Sequence, residues 1–365
     1  MIPIIDLKGQ YQSIKKEIDE AVARVIASGG YILGPEVESL EKEIATFTGA
    51  KYAIAVNSGT DALLLALKAA GIGPGDEVIT TAFSFIATAE VISFLGAKPV
   101  FVDIDPADYN LVVSQVERKI TSRTKAVIPV HLYGQPAEMD ALMALAGAKG
   151  LKVIEDCAQS LGATYKGRVT GTIGDAGCIS FFPTKNLGAF GDGGMIITND
   201  EKMANLLKKL HVHGAGEKYV HEVLGMNSRL DALQAAILRV KLKYLPGWSK
   251  QRNENTSFYN RSLKGLPLTL PVPKADVYHV YNQYTIATEK RDELQKHLKE
   301  KGIGTAIHYP IALPFQQAFS YLNLDLTEYP AAKKAAQSVL SLPAFPEMTP
   351  AQKDEVVAAI KSFFA

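Results

Sequence analysis

The sequence predicts an α/β protein with a large, mainly parallel sheet covered by helices and a smaller α+β domain at the C-terminus. Between about residues 50 and 200, short β-branched runs alternate with segments whose apolar residues recur every three or four positions, a pattern typical of βαβ units. Beyond about residue 245 the elements become fewer and less regular. The chain has 365 residues, 47% of them hydrophobic, and is long enough for two cores. We therefore assign residues 1–245, with the N-terminal segment, to a large domain and residues 246–365 to a small one.

The individual elements follow from these patterns. In the large domain, strands are expected at residues 77–80, 99–104, 126–130, 152–155, 177–182 and 195–198, and helices at 60–70, 86–95, 138–148 and 201–210. A helix at about 230–245 follows, and then strand 281–287, helix 291–301, strand 305–308 and helix 350–364. Ligands of such sheets bind beyond the carboxyl ends of the strands, so polar residues that follow strands are the first candidates for a site.

Charge and composition argue against several classes of protein. Lysine and arginine total 39 against 38 acidic residues, so the net charge of +1 gives no reason to expect nucleic acid or an anionic membrane as a partner. The chain lacks an apolar run of about 18 residues and a signal-peptide pattern at its start, and we expect a cytoplasmic protein. Cys157 and Cys178 lack CxxC spacing and are expected as buried thiols. We expect no metal centre, since His211, His213 and His221 resemble a metal cluster only superficially and no cysteine or carboxylate completes it.

The most informative segment places a single lysine, Lys185, on a glycine-rich turn that follows a predicted strand. Asp156 ends another strand 29 residues earlier, and Gln159 comes three residues after it. A desolvated lysine amine forms a Schiff base with an aldehyde, and a carboxylate keeps a pyridine nitrogen protonated. This combination predicts pyridoxal phosphate as the cofactor and Lys185 as the catalytic residue. The structural alternatives are an exposed loop lysine and a carboxylate paired with an arginine or a helix end.

Two further segments offer contacts to such a cofactor. Residues 57–63 open a helix with capping residues, so the backbone N–H groups near Gly59 and Thr60 suit a phosphate, although a plain helix cap is the alternative. Ser180 lies just before the lysine turn and is a candidate for another phosphate contact. One aromatic ring of the segment 83–85 follows a strand and is placed to lie on the cofactor ring, unless it belongs to the core.

Three residues are candidates for substrate binding. Arg229 precedes the helix at 230–245 and offers a forked guanidinium for phosphate oxygens. His308 and Tyr309 follow the predicted strand of the small domain and are candidates for the wall of the same pocket. The alternatives are a helix-capping salt bridge for Arg229 and a hydrogen-bonded structural histidine for His308, and we interpret His131 as structural.

These motifs together resemble the DegT/DnrJ/EryC1/StrS family of sugar aminotransferases, which has the aspartate-aminotransferase fold (fold type I). The resemblance extends over nearly the whole chain. It is carried by residues 34–35, 58–63, 73–78, 130–134, 155–159, 180–194, 227–231 and 308–310. This resemblance implies an enzyme that transfers an amino group from L-glutamate to a keto group of a nucleotide-linked sugar.

The resemblance also implies a role for each matching residue. By position, Lys185 bonds covalently to the cofactor, Asp156 pairs with its ring nitrogen, Gln159 contacts its ring hydroxyl and Phe85 stacks on its ring. Gly59, Thr60 and Ser180 hold the phosphate, and Asn227 reaches the phosphate in the neighbouring subunit. Sharing of this kind implies a homodimer with two composite sites.

The resemblance leaves the reaction partly open. Some members of the family carry a histidine in place of the lysine and are dehydratases, whereas this chain retains Lys185 and is expected to transaminate. Residues 227–231 and 308–310 are most similar to members that aminate C3 of a 3-keto sugar. The alternatives are amination at C4, as in perosamine-type synthases, and a regulatory or binding protein that has retained the fold.

Overall fold

A seven-stranded sheet forms the centre of the computed structural model, which describes residues 1–365. The strands, numbered along the chain, are β1 Tyr52–Val56, β2 Glu77–Thr81, β3 Lys98–Val102, β4 Thr124–Ile128, β5 Lys152–Asp156, β6 Thr164–Tyr165, β7 Arg168–Val169, β8 Ala176–Ser180, β9 Gly194–Thr198, β10 Ala215–Glu217, β11 Val220–His221, β12 Val277–Tyr278, β13 Tyr284–Ala287 and β14 Val339–Leu342. The central sheet has the order β1-β9-β8-β5-β4-β2-β3. Only β9 runs against its neighbours, so the prediction of a mainly parallel sheet is confirmed.

The six strands predicted for this sheet are all present, within two residues at nearly every end. The edge strand β1 was missed. Its sequence, Tyr-Ala-Ile-Ala-Val, contains two alanines, which are poor strand formers, and its strand character depends on pairing with β9, some 140 residues later. Local pattern does not reveal such a pairing.

Helices pack on the central sheet and on the smaller C-terminal sheet. They are α1 Leu7–Ser13, α2 Lys15–Ser28, α3 Pro35–Thr48, α4 Gly59–Ala69, α5 Ala87–Phe94, α6 Val113–Lys119, α7 Met139–Lys149, α8 Glu201–Leu210, α9 Ala232–Leu242, α10 Leu245–Ser262, α11 Arg291–Glu300, α12 Pro330–Ser338 and α13 Pro350–Phe364. The helices predicted at 60–70, 86–95, 138–148 and 201–210 are confirmed as α4, α5, α7 and α8. The one predicted at about 230–245 is shorter, and the polar helix α10 that follows it was not predicted. None of the helices combines the length and the apolar character needed to cross a membrane.

The C-terminal part contains a two-stranded antiparallel sheet of β13 and β14. The strand predicted at 305–308 is wrong, because only Ala306 pairs, in an isolated bridge to Ser341, before the chain turns toward a cleft lined by His308. Strand β14 was missed because it follows α12 directly, without a turn signal between them. Helices α11 and α13 are confirmed.

Apolar cores join the two parts of the chain. One cluster combines Phe83 and Phe101 of the large sheet region with Leu313, Phe319 and Tyr329. Another places Ile2 among buried residues of the C-terminal part, and Ile2 also forms a bridge to Ile303. The domain boundary near residue 245 remains a prediction. Both cysteines are free and buried, as expected.

Glycines let helix α4 approach the ends of β8 and β9 very closely. A Cβ on Gly59 would lie 2.6 Å from the Cβ of Ser180, and a Cβ on Gly194 would overlap the carbonyl oxygen of Ser58. These contacts bring the positive N-terminal end of α4 beside the turn that follows β8. The glycines thus fix the position of a helix end that faces the cleft.

We expect Gly194→Ala to destabilise the fold by about 1–3 kcal/mol, because the added methyl group forces α4 away from the sheet. Urea unfolding of the two proteins measures this difference. Gly247→Ala in α10 is the matched control, since nothing lies within 4 Å of its added Cβ and the change should stabilise by at most about 1 kcal/mol. Equal unfolding midpoints for Gly194→Ala and the unmutated protein would contradict the close approach.

Candidate active site

An open cleft with about 1040 Å³ of empty space lies at the carboxyl ends of the parallel strands. Nine of the residues predicted for the site line it. They are Gly59, Thr60, Phe85, Asp156, Gln159, Ser180, Lys185, His308 and Tyr309. Asn227 and Arg229 do not line it. The fold therefore brings together residues that lie up to 250 positions apart in the sequence.

Lys185 lies on the turn between β8 and β9, and its backbone N–H donates to the carbonyl of Phe182 at 2.9 Å. The residue is half-buried and lines the cleft. Burial lowers the pKa of Lys185 to about 8, although the charge of Asp156 opposes the shift. At this pKa about a tenth of the amine is unprotonated at pH 7, and this fraction acts as a nucleophile and a proton acceptor.

Asp156 ends the central strand β5 and is only 5% exposed. Its Oδ2 accepts a hydrogen bond from Thr88 Oγ1 at 2.8 Å and its Oδ1 accepts one from the backbone N–H of Ala158 at 3.1 Å. Burial raises the pKa of Asp156, and these two hydrogen bonds and the charge of Lys185 oppose the rise. No cationic side chain lies within 4.0 Å of the carboxylate, so it offers its charge to a ligand in the cleft.

Thr88 and Ser84 were not predicted as site residues. Both are buried, both line the cleft, and their hydroxyl oxygens lie 2.9 Å apart, so Ser84 is linked to Asp156 through Thr88. Two hydroxyls four residues apart at the start of the apolar helix α5 were the available signal in the sequence. The hydroxyl of Thr88, however, donates to Asp156, which lies 68 residues later in the sequence.

The N-terminus of α4 forms an anion-binding end of the cleft. The Ser58 side chain caps the helix by accepting from the N–H of Asp61 at 3.0 Å. No hydrogen bond within the protein uses the N–H groups of Gly59 and Thr60, which remain available to a ligand. Ser180 faces the same end, close against Gly59.

A hydrogen-bonded group of side chains forms the opposite wall. Gln159 donates through Nε2 to the hydroxyl of Tyr309 at 3.0 Å and accepts at Oε1 from the N–H of Tyr133 at 2.6 Å. Tyr133, which was not predicted, donates its hydroxyl to the carbonyl of His308. Burial, and then the charge of Lys185, lower the pKa of His308 to about 4, so its imidazole is neutral near pH 7. Burial also raises the pKa of Tyr309 well above its usual range.

Of the two candidate aromatic rings, only Phe85 is accessible. Phe83 is fully buried in a core cluster, whereas Phe85 is 55% exposed at the cleft. The ring of Phe85 lies 6.1 Å from that of Tyr309, centroid to centroid. An exposed phenyl face beside a polar cleft suits a planar ligand.

Asn227 and Arg229 lie on the segment before α9 and do not line the cleft. Asn227 is exposed and forms a bridge to Val212, and the Nε of Arg229 is buried without a hydrogen-bond partner. Ser228 between them is buried and donates to Asp61 at 2.6 Å, which ties this segment to the first turn of α4. A single chain therefore presents Asn227 outward.

His131, Glu155 and Cys157 lie close enough together to suggest a metal site, but the ligand atoms of His131 and Glu155 are already hydrogen-bonded within the protein. His131 accepts from the N–H of Ala137 at Nδ1 and so carries its proton on Nε2, which lies 2.9 Å from Glu155. The Glu155 carboxylate also accepts from the backbone N–H groups of residues 171, 173 and 174. We interpret this cluster as a structural hydrogen-bond network beneath the cleft.

The sheet topology and a cleft that holds a lysine and a buried carboxylate together define the class of fold type I aminotransferases. More narrowly, the chain belongs to the DegT/DnrJ/EryC1/StrS aminotransferase family, whose model matches residues 12–361. The resemblance found in the sequence is thereby confirmed.

Similar proteins come from several bacteria. The chain is 51% identical to a pleiotropic regulatory protein of Geobacillus stearothermophilus, over 100% of this chain and 98% of that protein. It is 47% identical to a UDP-2-acetamido-2-deoxy-3-oxo-D-glucuronate aminotransferase of Pseudomonas aeruginosa, over 99% of both. The crystal structure of S. venezuelae DesV in complex with a ketimine intermediate superposes with a TM-score of 0.97 at 44% identity, covering 99% of this chain and 98% of that one.

We expect the free energy of unfolding of Thr88→Val to depend more strongly on pH than that of the unmutated protein. Because burial raises the pKa of Asp156 in the folded state, the free energy of unfolding falls as the pH rises from the unfolded pKa to the folded one. Loss of the Thr88 hydroxyl raises the folded pKa further and should cost about 1–3 kcal/mol near neutral pH. At acid pH the carboxyl is protonated in both states, and the cost should shrink.

Urea unfolding at a series of pH values measures this effect. Thr88→Ser is the matched control, since it keeps the hydroxyl and should follow the unmutated protein. A loss for Thr88→Val that does not change with pH would show that the hydroxyl does not act on Asp156.

Proposed function

We propose that this protein is a pyridoxal-phosphate-dependent aminotransferase that moves an amino group from L-glutamate to C3 of a nucleotide-linked 3-keto sugar. The observation that carries the proposal is the pairing, in one cleft, of an amine with a lowered pKa and a buried carboxylate without a cationic partner. The position at C3 is supported by the Pseudomonas aeruginosa relative, whose substrate is a 3-oxo sugar.

The donor groups of the cleft fit this cofactor from one end to the other. The free N–H groups of Gly59 and Thr60, with Ser180, suit its phosphate, and the Asp156 carboxylate suits its ring nitrogen. When bound, the cofactor supplies an aldehyde for the amine of Lys185 and a cationic ring that accepts electrons. The exposed ring of Phe85 is placed to restrain its tilt.

The residues of the chain would then divide the work of the reaction. Lys185, with its pKa near 8, takes up and returns the proton at the reacting carbon of each substrate. Asp156 pairs with the positive charge of the ring, and the Thr88 hydroxyl donates a hydrogen bond to Asp156. Gln159 has one amide hydrogen left after its bond to Tyr309 and is placed to meet the ring hydroxyl.

Substrate binding would involve the wall that contains His308 and Tyr309 and the segment that contains Arg229. His308 is neutral and Tyr309 is held by Gln159, so both offer hydrogen bonds to a sugar without a competing charge. We propose that Arg229 binds the diphosphate, since its Nε is buried without a partner in the single chain. We further propose a cytoplasmic location.

A second candidate function is regulatory, because the 51% identical relative is named a regulatory protein. A protein of that kind would retain the fold and bind a partner. The intact Lys185 and Asp156 favour catalysis over this alternative. Amination at C4 is the third possibility.

Incubation with L-glutamate and nucleotide-linked 3-keto or 4-keto sugars tests the proposal, with NMR to locate the new amine. We expect amination of the 3-keto sugar at C3. Lys185→Ala should lower turnover by at least roughly 10²- to 10⁴-fold, because the proton carrier is lost. Borohydride treatment of the cofactor-loaded protein should label the peptide that contains Lys185.

Lys202→Ala, an exposed lysine on α8, is the matched control and should keep full activity and labelling. An amine at C4 would favour the perosamine-type alternative. Failure to transaminate any keto sugar, with a defined protein partner, would favour the regulatory one.

We also propose a homodimer in which Asn227 completes the site of the partner. Tyr31, Ile32 and Leu33 are large apolar side chains exposed on the surface, and Ile32 forms a bridge to Asp231 just after the Asn227 segment. Phe190 is also exposed and is held to the first turn of α9 through its N–H. Apolar residues exposed beside the active-site turn are typical of an interface.

Mixing two inactive variants tests the composite site. In a heterodimer of Lys185→Ala and Asn227→Asp, one site combines the intact lysine of one chain with the intact asparagine of the other. Random mixing should therefore restore about a quarter of the activity of the unmutated dimer. If each site lies within one chain, mixing restores nothing, and a monomer in sedimentation would contradict the proposal outright.

A further inference from the structure

A second cavity adjoins the active-site cleft and contains a buried arginine that none of the proposed roles uses. It is open to solvent and has about 510 Å³ of empty space between the start of the chain and the C-terminal part. Thr184 and His308 line both this cavity and the cleft, and Thr184 is the residue directly before Lys185. An occupant of this cavity therefore contacts the turn that carries Lys185, while Lys185 itself lines the adjoining cleft.

Arg252, on α10, supplies the charge of this cavity. It is only 4% exposed, and its Nη1 donates to the carbonyls of Tyr281 and Ala344, both at 3.3 Å. Its Nε and Nη2 donate to no protein atom, and both keep some accessible surface. Because Arg252 lines the cavity, these two donors face it.

No carboxylate is in contact with the guanidinium of Arg252. No carboxylate oxygen lies within 4.0 Å of its guanidinium, and no acidic residue lines the cavity. Burial lowers the pKa of Arg252 to about 10, with the more distant Glu347 opposing the shift, so the group remains cationic at neutral pH. A buried cation with free donors is costly unless an anion meets it.

The position of the cavity indicates which anion. The groups that suit the cofactor phosphate lie at the N-terminus of α4, whereas this cavity opens beside Thr184 and His308. A guanidinium with two free donors suits a planar carboxylate in a forked geometry. The amino donor carries two carboxylates, and a uronate sugar carries one.

We propose that the Arg252 cavity binds a carboxylate of a substrate while that substrate reacts at Lys185. The inference rests on the proposed transamination and extends it by assigning the group that recognises the acid. Glutamate is the source that every turnover requires. A nucleotide-linked uronate is the other source of the same chemistry, and the two half-reactions distinguish them.

The experiment compares Arg252→Met with Arg291→Met in the cofactor-loaded protein. Arg291 is the matched control, because it is also buried and its Nη1 also donates to two backbone carbonyls, at 3.2 Å, but it lines neither cavity. Binding of glutarate, which cannot react, is measured by calorimetry. The affinity for L-glutamate is measured from the absorbance change of its half-reaction, and that for neutral and uronate nucleotide sugars by titration.

Arg252→Met should weaken glutarate and L-glutamate binding by roughly 10- to 100-fold, the loss typical of a charged hydrogen bond, and leave the neutral nucleotide sugar unchanged. Arg291→Met should leave all of these affinities unchanged, and Arg252→Lys should recover part of the loss. A loss confined to the uronate sugar assigns the cavity to the sugar acid. Affinities within twofold of the unmutated protein for every acid overturn the proposal.

A second variant covers a failure of Arg252→Met to fold. Ala306→Leu narrows the cavity and leaves Arg252 in place, so it should also weaken glutarate binding, and unchanged binding overturns the proposal. The two hypotheses fail separately. If glutarate binding depends on Arg252 but the protein transaminates no sugar, only the proposed aminotransferase function is refuted. If Arg252→Met transaminates fully and binds acids with unchanged affinity, only the proposed role of the Arg252 cavity is refuted.

Discussion

The burial of one carboxylate, Asp156, is the constraint on which the cleft depends. Strand β5 lies between β4 and β8 in the middle of the sheet, so its last residue, Asp156, is only 5% exposed. A carboxylate in that position is tolerated because Thr88 and Ala158 donate to it, yet its pKa remains raised. The same burial acts on Lys185 in the opposite direction and lowers its pKa. Desolvation thus disfavours the charge of both groups, and a cationic ring between them would stabilise the charged form of the carboxylate.

Close backbone packing makes the other end of the cleft possible. Gly59 and Gly194 let the first turn of α4 lie against the ends of β8 and β9, where any side chain would hold it away. The free N–H groups of this turn therefore face the same space as Asp156, and the Ser228 hydroxyl fixes Asp61 behind them. Anion binding at this end comes from the backbone, whereas charge control at the other end comes from side chains. A ligand that is anionic at one end and cationic at the other matches both.

The sequence predicted those parts of the site whose signal is local. Asp156 ends one predicted strand and the Lys185 turn follows another, and parallel strands bring their carboxyl ends together, so the convergence of these two residues was predictable. Thr88, Tyr133 and Arg252 were not, because each is an ordinary residue of its element until a distant segment packs on it. Strands β1 and β14 were missed for the same reason, since tertiary pairing makes them strands. Asn227 is exposed and does not line the cleft in a single chain, so the role proposed for it depends on a partner subunit.

Two substrates of different shape must react in turn at one amine, and the arrangement of charges around Lys185 suits that requirement. The wall formed by Gln159, His308 and Tyr309 is neutral, because burial keeps the imidazole unprotonated and the phenol protonated. A neutral wall accepts sugar hydroxyls without attracting acids. The charge of Arg252 lies beyond His308, in a separate cavity, where it attracts a carboxylate and leaves the neutral wall unaffected. Separation of the two kinds of recognition lets one proton carrier serve both half-reactions, because neither substrate has to compete for the groups that select the other.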